Sequence, residues 1–580
     1  MKLTDTFAKV IKSAGIKNVF GLQGGAVVHF FDSLEKNKIN VTYTNHEVSA
    51  ALAATAYSKV TKNLGCAIVT TGPGSTNAIT GLMAAWQDSV PVIFISGQAR
   101  STHVSYGKKV RQVGTQEVNI CDIVKPLTKY TKFISKKESF LPELLKAINI
   151  CNSNRPGPVW LDVALDIQWS DIKFDKKYHL ILKNSFSKKN VNKKFDKIFK
   201  YFNDSKKPLI IAGSGIKQSN SEKQFLNFTK KYNVPFVTTW NTADISHSDD
   251  VNNLGIIGMS GQRGANKALF NADLLICLGT HLPIPHTTTL YKSYAPKSKK
   301  IIVNIDNNEL KNLNVDFDLK IYGDVRSFFY WANNKKFRKK FSWNNKNRYK
   351  SMNWYEPTLT KKPNSDRFIR LLTKKIKSKS CIIVDGGGTA LYSGFQSSYI
   401  NKGNKIVCSS SISSMGTGLA ETIGVSKSQK FKNLICIIGD GSFLMNIQDL
   451  QTIVQDKINV KIIIVNNNGY LAIRHTQKEF LKAKYFGTHP KYNLTMPDYK
   501  KVSKAFNVKY LKISKEKDMR KTIKKLIRIK GPVICEVVTL EDQPSLFKQG
   551  YKKNLNGVFE PQPLSEMFPF ISEPIANTNN

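Results

Sequence analysis

Two polar motifs follow apolar, strand-like runs in the last third of the chain. Residues 439–442 (GDGS) come after the run NLICII, and residues 466–470 (NNNGY) come after KIIIV. Because open parallel sheets bind ligands at the carboxyl ends of their strands, both motifs are expected at one binding edge. Asp440 offers a carboxylate oxygen, Asn467 an amide oxygen and Gly469 a backbone carbonyl, which are hard donors of the kind that Mg²⁺ prefers. The spacing therefore predicts a magnesium site completed by diphosphate oxygens and water.

A phosphate-binding surface is predicted around these metal ligands. Glycines let backbone N–H groups approach a phosphate, and a following helix favours anions at its N-terminus. A third turn, DGGGT at residues 385–389, follows the run CIIV and could hold diphosphate oxygens in the same way. The candidate cofactor contacts of this region are Gly387, Gly388, Thr389, Gly441, Ser442 and Tyr470. GDG alone could be an ordinary strand-to-helix turn, but the paired motifs are specific.

The pair of motifs resembles the thiamine diphosphate motif, and most of the chain resembles acetolactate-synthase-like enzymes that use this cofactor. Matching stretches of the first third are GLQGGA at residues 21–26, HE at 46–47, TTGPGSTN at 70–77, QDSVPV at 87–92 and TQE at 115–117. The last third adds SSMGTG at residues 413–418. The resemblance implies the fold, the cofactor and the site of that family.

Each matching stretch takes an implied role from the family. Glu47 would hydrogen-bond the aminopyrimidine ring and relay a proton, whereas taken alone it would be a helix-start charge. Gln116 would be a second catalytic side chain, with Thr115 where the family has Phe. The other implied cofactor contacts are Gly25, Pro73, Asn77, Ser413 through its carbonyl, and Met415 as the wedge that bends the cofactor.

Three departures from the family pattern concern the acceptor pocket. Thr476 stands where acetolactate synthases proper carry Trp, His475 stands where they carry Gln, and Leu165 replaces a Lys. Loss of an indole removes a large apolar wall. This favours a larger or more polar acceptor, such as a keto sugar, with His475 and Arg474 as hydrogen-bond partners. His475 is a candidate catalytic proton donor, and a plain surface histidine is the alternative.

The central third resembles the family's flavin-binding domain. Glycine turns at residues 213–215 and 258–261, the stretch NID at 304–306 and Arg155 match it. The family's R-F-D-D-R stretch is missing, and HLPIP at residues 281–285 replaces it. Because glycine turns alone are weak signals, the sequence leaves open whether FAD is a cofactor.

Near-continuous runs of Ile, Val and Leu, separated by amphipathic helices, must position these motifs. Strands are predicted at residues 41–44, 67–71, 92–96, 209–212, 274–278, 301–305, 381–384, 434–438 and 461–465. Runs of this kind indicate parallel sheets covered on both faces. We predict an α/β protein of three doubly wound parallel-sheet domains, which the resemblance identifies as pyrimidine-binding, central and diphosphate-binding.

Composition shifts set the expected domain limits. A charged stretch at residues 170–194 and a basic, Asn-rich stretch at 333–364 separate domains at 1–175, 185–340 and 360–555, followed by a tail at 556–580. A chain of 580 residues suits three or four domains of ordinary size.

Composition also limits the possible partners. The formal net charge is +46, which would suit nucleic acid, but the lysines are dispersed and no known RNA or zinc-finger motif is present. No apolar run reaches the about 18 residues of a membrane span. We therefore expect neither a nucleic acid nor a membrane partner. The eight cysteines are isolated in apolar runs, which predicts buried thiols in a reducing, cytoplasmic compartment.

The sequence thus predicts a lyase or transferase of the carboligase type that depends on thiamine diphosphate and Mg²⁺. It would decarboxylate a 2-keto acid, with pyruvate as the expected donor, and transfer the acyl-anion equivalent to a carbonyl acceptor. The alternatives are acetolactate synthase proper, a simple 2-keto-acid decarboxylase, a non-catalytic partner chain and a nucleic-acid-binding protein. The resemblance also implies a homodimer or homotetramer with its active site at a subunit interface.

Overall fold

The described part of the chain is built on three parallel sheets, with two short antiparallel strand pairs after them. The computed structural model describes residues 1–173, 194–336, 341, 343–344 and 346–570. Most of the expected boundary 170–194, and parts of 333–364 and of the tail 556–580, lie outside the described residues. Each sheet has six parallel strands with helices around it, which confirms the predicted fold class. Each strand predicted from the sequence overlaps an observed strand.

The first sheet has the strand order β2-β1-β3-β4-β6-β5. Its strands are β1 Asn18–Gly21, β2 Asn40–Tyr43, β3 Gly65–Val69, β4 Val92–Gln98, β5 Tyr130–Ile134 and β6 Val159–Ala164. Its helices are α1 Leu3–Ser13, α2 Val28–Lys36, α3 Glu47–Thr61, α4 Pro73–Asn77, α5 Ile79–Gln87, α6 Ile120–Val124, α7 Lys137–Asn152 and α8 Leu165–Gln168, with a 3₁₀ turn at Lys125–Leu127. Neighbouring residues such as Ile68 and Val69 enter cores on opposite faces of the sheet, so its strands are apolar throughout.

The second sheet has the strand order β12-β11-β10-β7-β8-β9. Its strands are β7 Pro208–Ala212, β8 Phe236–Thr238, β9 Asn253–Ile256, β10 Leu274–Leu278, β11 Lys299–Asn304 and β12 Leu319–Tyr322. Its helices are α9 Phe195–Asp204, α10 Gly215–Gln218, α11 Glu222–Tyr232, α12 Arg263–Asn271, α13 Ile284–Thr287, α14 Asn307–Lys311, α15 Val325–Asn333 and α16 Lys346–Ser351, with 3₁₀ turns at Trp240–Thr242 and Tyr291–Ser293. The order reverses between β7 and β10, where doubly wound sheets open a ligand crevice.

The third sheet has the order β14-β13-β15-β16-β18-β17, which repeats the first sheet strand for strand. Its strands are β13 Ser380–Val384, β14 Lys405–Val407, β15 Asn433–Gly439, β16 Val460–Asn466, β17 Lys509–Ile513 and β18 Val533–Val538. Its helices are α17 Ser365–Lys375, α18 Gly388–Ser397, α19 Thr417–Lys427, α20 Asp440–Met445, α21 Asp449–Gln455, α22 Leu471–Phe480, α23 Tyr499–Ala505 and α24 Met519–Arg528, with 3₁₀ turns at Pro490–Tyr492 and Glu516–Asp518. No helix of the described chain is long and apolar enough to cross a membrane.

The first and third units contact each other through α3 and α19. The two helices approach closely at Gly424, where a Cβ would lie 2.1 Å from the Ala53 carbonyl oxygen. Beside them, Ser49 Oγ donates to Asp449 Oδ2 at 2.9 Å. These contacts place the start of α3 against the third unit.

After β18 the chain returns to the second unit as a strap, residues 546–569. The strap contains the short strands β19 Lys548–Gln549, β20 Tyr551–Lys553, β21 Phe559–Pro561 and β22 Met567–Phe568. Leu564 is buried in a core of the second unit, and Arg263 donates to the Met567 carbonyl at 3.3 Å. The end of the chain therefore completes the second unit.

Candidate functional site

The candidate acid Glu47 begins α3 and is 8% exposed. Asn77 Nδ2 donates to its Oε2 at 3.1 Å, while its Oε1 accepts no hydrogen bond from the described residues. The turn that holds Asn77 lies close, since a Cβ on Gly74 would be 3.4 Å from Oε1. The preceding residue, His46, caps α3 by accepting the Val48 N–H at 3.2 Å. The structure thus brings Glu47 and Asn77 together and leaves one carboxylate oxygen for a ligand.

Two more loops join the 70–77 turn beside Glu47 at this edge of the first sheet. The Ala26 N–H donates to Thr70 Oγ1 at 3.3 Å, which ties the loop of Gly25 to the 70–77 turn. Thr71 Oγ1 donates to the Gln116 carbonyl at 3.1 Å. The predicted residues on these loops are exposed, namely Gly25, Pro73, Asn77 and Gln116. They form an open surface around a shielded carboxylate.

A buried carboxylate behind this edge supports the Gln116 loop, and the motifs gave no sign of it. Asp162 accepts hydrogen bonds from Gln98 Nε2 at 2.9 Å and from the Tyr106 hydroxyl at 3.1 Å. The Oε1 atom of Gln98 lies 2.9 Å from Thr71 Oγ1, and this hydroxyl contacts the Gln116 carbonyl. Burial raises the pKa of Asp162 to about 6. An acidic residue inside the apolar run WLDVA was the signal available in the sequence.

The predicted metal ligands lie together at the carboxyl ends of β15 and β16. Asp440 is 1% exposed, and its Oδ2 accepts the N–H groups of Gly469 at 2.9 Å and Asn467 at 3.1 Å. Burial raises the pKa of Asp440 to about 6. Among the described residues there is no cluster of three or more His, Cys, Asp or Glu side chains able to hold a metal. The oxygen donors therefore fit Mg²⁺ only if a ligand such as diphosphate completes its coordination.

Arg474 has a different role from the predicted acceptor contact. It is 4% exposed, and its guanidinium donates to the carbonyls of Asn467 at 2.7 Å, Thr488 at 2.8 Å and Glu541. A forked guanidinium suits several carbonyls at once. Arg474 therefore holds the loop of the predicted metal ligands in place from behind, and these contacts disfavour the predicted contact with the acceptor.

The predicted diphosphate turn packs against the predicted wedge residue. Asp385 accepts the N–H groups of Gly418 at 3.0 Å and Gly387 at 3.4 Å, so it holds both loops. A Cβ on Gly387 would lie 2.2 Å from Met415 Cγ, so only glycine allows this approach. Gly388 has a φ of +65° and open space beside it, where α18 begins. The turn therefore opens the N-terminus of a ten-residue helix toward a ligand.

The remaining predicted contacts surround the same loops. Thr389 is half-buried in the first turn of α18, and Ser442 is buried in the first turn of α20. Gly441 lies against Tyr470, since a Cβ there would be 2.2 Å from the Tyr470 ring. Ser413 is exposed, with a φ of +51°. The third unit thus collects its predicted contacts at one edge, but no hydrogen bond of the described residues joins them to Glu47, Asn77 or Gln116.

Helix α22 follows the loop of the predicted metal ligands, and one of its faces is exposed to solvent. Thr476 is exposed, as are Ile473 and Phe480 one turn to either side, at 52% and 62%. His475 is half-buried, and burial, followed by the nearby charge of Lys548, lowers its pKa. The imidazole is therefore neutral at pH 7 and can donate or accept one hydrogen bond at each nitrogen.

Two adjoining cavities, of about 770 and 640 Å³, lie where the three units meet. Both contain Ser214 and Thr280, which follow β7 and β10 at the reversal of strand order. In the larger cavity, Trp240 Nε1 and both ring nitrogens of His286 are shielded and have no hydrogen-bond partner among the described residues. Burial lowers the pKa of His286 to about 3, so its ring is neutral. Shielded polar atoms without partners fit a bound ligand.

Comparison with known families agrees with this geometry. The model of the thiamine pyrophosphate enzyme N-terminal TPP binding domain matches residues 1–123. The models of the central domain and of the C-terminal TPP binding domain match residues 195–330 and 386–537. Thiamine pyrophosphate is another name for thiamine diphosphate. The fold is that of the thiamine pyrophosphate enzymes, and the two groups of predicted cofactor residues fall within the two matched TPP binding domains.

The curated relatives are more specific. An acetolactate synthase large subunit from Buchnera aphidicola of Acyrthosiphon pisum is 31% identical over 85% of this chain and 86% of its own length. Those of Haemophilus influenzae and Lactococcus lactis are 27% and 29% identical, and each match covers more than nine-tenths of both chains. The chain belongs to the acetolactate-synthase-like family of thiamine pyrophosphate enzymes. The predicted reaction class is thereby confirmed: decarboxylation of a 2-keto acid with acyl transfer to a carbonyl acceptor.

Proposed function

We propose that this enzyme takes pyruvate as its donor and an acceptor larger or more polar than a second pyruvate, such as a keto sugar. The observation that supports the acceptor is the open face of α22, where Thr476 is exposed directly after the metal loop. A Trp at this position would cover part of that face with an apolar wall. Thr476 leaves room there and adds a hydroxyl.

His475 supports a polar acceptor. Its ring is half-buried, and its lowered pKa keeps it neutral. A neutral imidazole can hydrogen-bond a hydroxyl or a carbonyl of the acceptor without placing a charge beside it. To act as the predicted proton donor, His475 would first take up a proton from solvent and then give it to the new alkoxide.

The residues of the third unit fit thiamine diphosphate and Mg²⁺. Asp440, Asn467 and the Gly469 carbonyl would hold Mg²⁺, because they are buried oxygen donors on adjoining strand ends. The first turn of α18, with the Thr389 hydroxyl, would bind the diphosphate. When bound, the cofactor supplies the carbanion chemistry of decarboxylation and carbon–carbon bond formation.

The residues of the first unit would act on the rings of the cofactor. Glu47 would hold a proton at the aminopyrimidine nitrogen, with Asn77 orienting its carboxylate. Gly25, Pro73 and Gln116 would border the reacting carbon. From the third unit, the Met415 side chain would support the cofactor between its two rings. The Ser413 carbonyl would accept a hydrogen bond from the exocyclic amine.

A homodimer would unite the two groups of residues. Each group includes exposed residues, such as Gln116 and Ser413, and within one chain no hydrogen bond of the described residues links the two groups. The shared strand order supports a two-fold arrangement in which the first unit of one copy faces the third unit of the other. The domain limits 1–175, 185–340 and 360–555 enclose the three sheets and are proposed on that basis, and a tetramer would pair two dimers.

FAD is proposed as the occupant of the cavities between the units. The donor Trp240 Nε1 and the neutral ring of His286 could pair with the polar edge of a flat heteroaromatic ring. Arg155 stands nearby but already bonds Asp306 at 3.1 Å and also bonds Glu309. The visible absorbance of the supernatant after heat denaturation of the purified protein would test this. A colourless supernatant would contradict it.

We also propose that the enzyme works in the cytoplasm. All eight cysteines are buried and unpaired, which supports a reducing compartment.

The acceptor proposal is tested by product analysis. Purified enzyme with thiamine diphosphate, Mg²⁺ and labelled pyruvate is offered ketoses, aldehydes or no other acceptor, and the products are identified by mass spectrometry. We expect a sugar-derived ligation product and little acetolactate. Thr476→Trp should raise the share of acetolactate, whereas the size-matched control Thr476→Val should not. Acetolactate as the main product of the unmodified enzyme would indicate acetolactate synthase instead.

A further inference from the structure

One carboxylate, that of Asp88, contacts side chains from all three units. Asp88 is 5% exposed and follows α5 in the first unit. Its Oδ2 accepts a hydrogen bond from Lys59 Nζ at 2.6 Å, and its Oδ1 accepts one from Asn241 Nδ2 of the second unit at 2.9 Å. The Ser411 hydroxyl of the third unit donates to the same Oδ1. The backbone carbonyl of Asp88 also accepts Gln218 Nε2 at 2.7 Å.

Ser411 lies in the loop of residues 408–416, which carries Ser413 and Met415. The junction also holds the start of this loop, because Lys59 Nζ donates to the Cys408 carbonyl at 2.8 Å. Within the loop, Ser413 Oγ donates to the Ser410 carbonyl at 2.8 Å. Contacts with Asp88 and its ion-pair partner therefore come immediately before the two residues assigned to the cofactor.

The loop needs such support because part of it is strained. Ser413 has a φ of +51°, a left-handed conformation that costs a non-glycine residue of the order of 1 kcal/mol or more. Hydrogen bonds to a charged group are stronger than those between two neutral groups. The Asp88 side chain is also only 2% exposed, so water competes little for its contact with Ser411. The Lys59 ammonium forms an ion pair with this carboxylate at 2.6 Å, and the same carboxylate orients the Ser411 hydroxyl.

We propose that Asp88 is a positioning residue for thiamine diphosphate, acting through Ser411 on the loop that carries Ser413 and Met415. This rests on the role proposed above for those two residues. Asp88 itself need not touch the cofactor. By fixing Ser411, it sets where the Ser413 carbonyl and the Met415 side chain stand relative to the diphosphate turn, against which Met415 packs at Gly387.

Ser411→Ala is the sharpest variant, because it removes one hydroxyl of an exposed residue and leaves the Lys59–Asp88 pair intact. In holoenzyme saturated with thiamine diphosphate and Mg²⁺, we expect kcat to fall about 10-fold to 100-fold, the range for losing one hydrogen bond to a charged group. The KM for pyruvate should stay within about twofold, since the loop acts on the cofactor. The near-ultraviolet circular dichroism bands of the bound aminopyrimidine tautomers should change in intensity.

Asp88→Asn provides a second variant. Its amide keeps the size of the side chain, removes the charge and places an N–H₂ group near the Lys59 ammonium or the Ser411 hydroxyl. It should change kcat and the tautomer bands in the same direction as Ser411→Ala. The double variant should be no worse than Asp88→Asn alone, because both act through one contact. The matched control is Ser426→Ala, which loses a hydroxyl that donates to the Ile423 carbonyl of its own helix.

Unchanged tautomer bands and kcat in Ser411→Ala would overturn the proposal. So would a loss of thermal stability in both variants while kcat and the bands stay at wild-type values. Met415→Ala separates this failure from failure of the proposed site. If Met415→Ala leaves the bands unchanged, the cofactor role of the loop is wrong; if it alters them while Ser411→Ala does not, only the role of Asp88 is wrong. The bands need no keto acid, so they are independent of donor and acceptor identity.

Discussion

Replacing Arg474 by Lys separates loop support from acceptor binding. The guanidinium bonds the carbonyls of Asn467, Thr488 and Glu541, and a single ammonium on a differently shaped side chain should keep about one of these bonds. At about 1.5 kcal/mol for each of two lost charge-assisted bonds, the formed loop loses about 3 kcal/mol. Since each 1.4 kcal/mol is about tenfold, Mg²⁺ affinity should fall by up to about 100-fold, because Asn467 and Gly469 lie on this loop.

Calorimetric titration of Mg²⁺ into enzyme with saturating thiamine diphosphate measures the predicted loss of affinity. At saturating Mg²⁺, the KM of the acceptor should remain at its wild-type value. Arg528→Lys is the control, since Arg528 is exposed on α24 and a conservative surface change should alter stability by less than about 0.5 kcal/mol. Unchanged Mg²⁺ affinity together with a raised acceptor KM would refute the reasoning and return Arg474 to the acceptor site.

Four further predictions concern the carboxylates. Glu47→Gln should bind the cofactor but slow exchange of its thiazolium proton by about 10²–10⁴-fold, as followed by NMR; exchange at the wild-type rate would exclude the proton relay. Asp440→Ala should abolish cofactor binding in calorimetry while leaving the far-ultraviolet circular dichroism spectrum intact, and undiminished affinity would exclude Asp440 as the metal ligand. Mixing these two inactive variants with exchange of subunits should restore about a quarter of wild-type activity, because hybrid dimers contain one intact site; no recovery would indicate a site within one chain. Asp162 has its pKa raised to about 6 in the folded state, so the folded protein binds this proton more tightly, and the first unit should gain up to about 3 kcal/mol as the pH falls from 7 toward 4. Chemical unfolding at several pH values measures how the free energy of unfolding depends on pH. This dependence should be weaker in Asp162→Asn than in the wild type, and an equal dependence in both proteins would contradict the prediction.

The sequence was a good guide wherever a motif directly follows a strand. Asp440 and Asn467 could be paired because two apolar runs end just before them, and parallel strands align those ends. The observed strand ends differ from the predicted ones by only one or two residues. For example, Thr70 and Thr71 were predicted in a strand but lie just after the end of β3, in the turn beside Glu47. The family resemblance then supplied the roles proposed for Gly25, Pro73 and Met415.

Residues that act from behind the motifs could not be identified in this way. Arg474 lies next to the acceptor positions in the sequence, but it occupies the buried side of α22, where helical geometry turns it toward the metal loop. The motif QDSVPV gives Asp88 no role of its own, because the partners Asn241 and Ser411 are far away in the chain. Long-range polar contacts of this kind leave no periodic trace in the sequence.

The strap has a consequence for synthesis of the protein on the ribosome. The core of the second unit includes Leu564, although its last helix before the third unit, α16, ends at Ser351. At roughly 5–20 residues per second, translation from the end of α16 to Leu564 takes roughly 10–45 s. During that interval the core of the second unit lacks the Leu564 side chain, whereas the first unit can already fold. A nascent chain released early would therefore carry a marked defect in its middle, although the missing residues belong to its end.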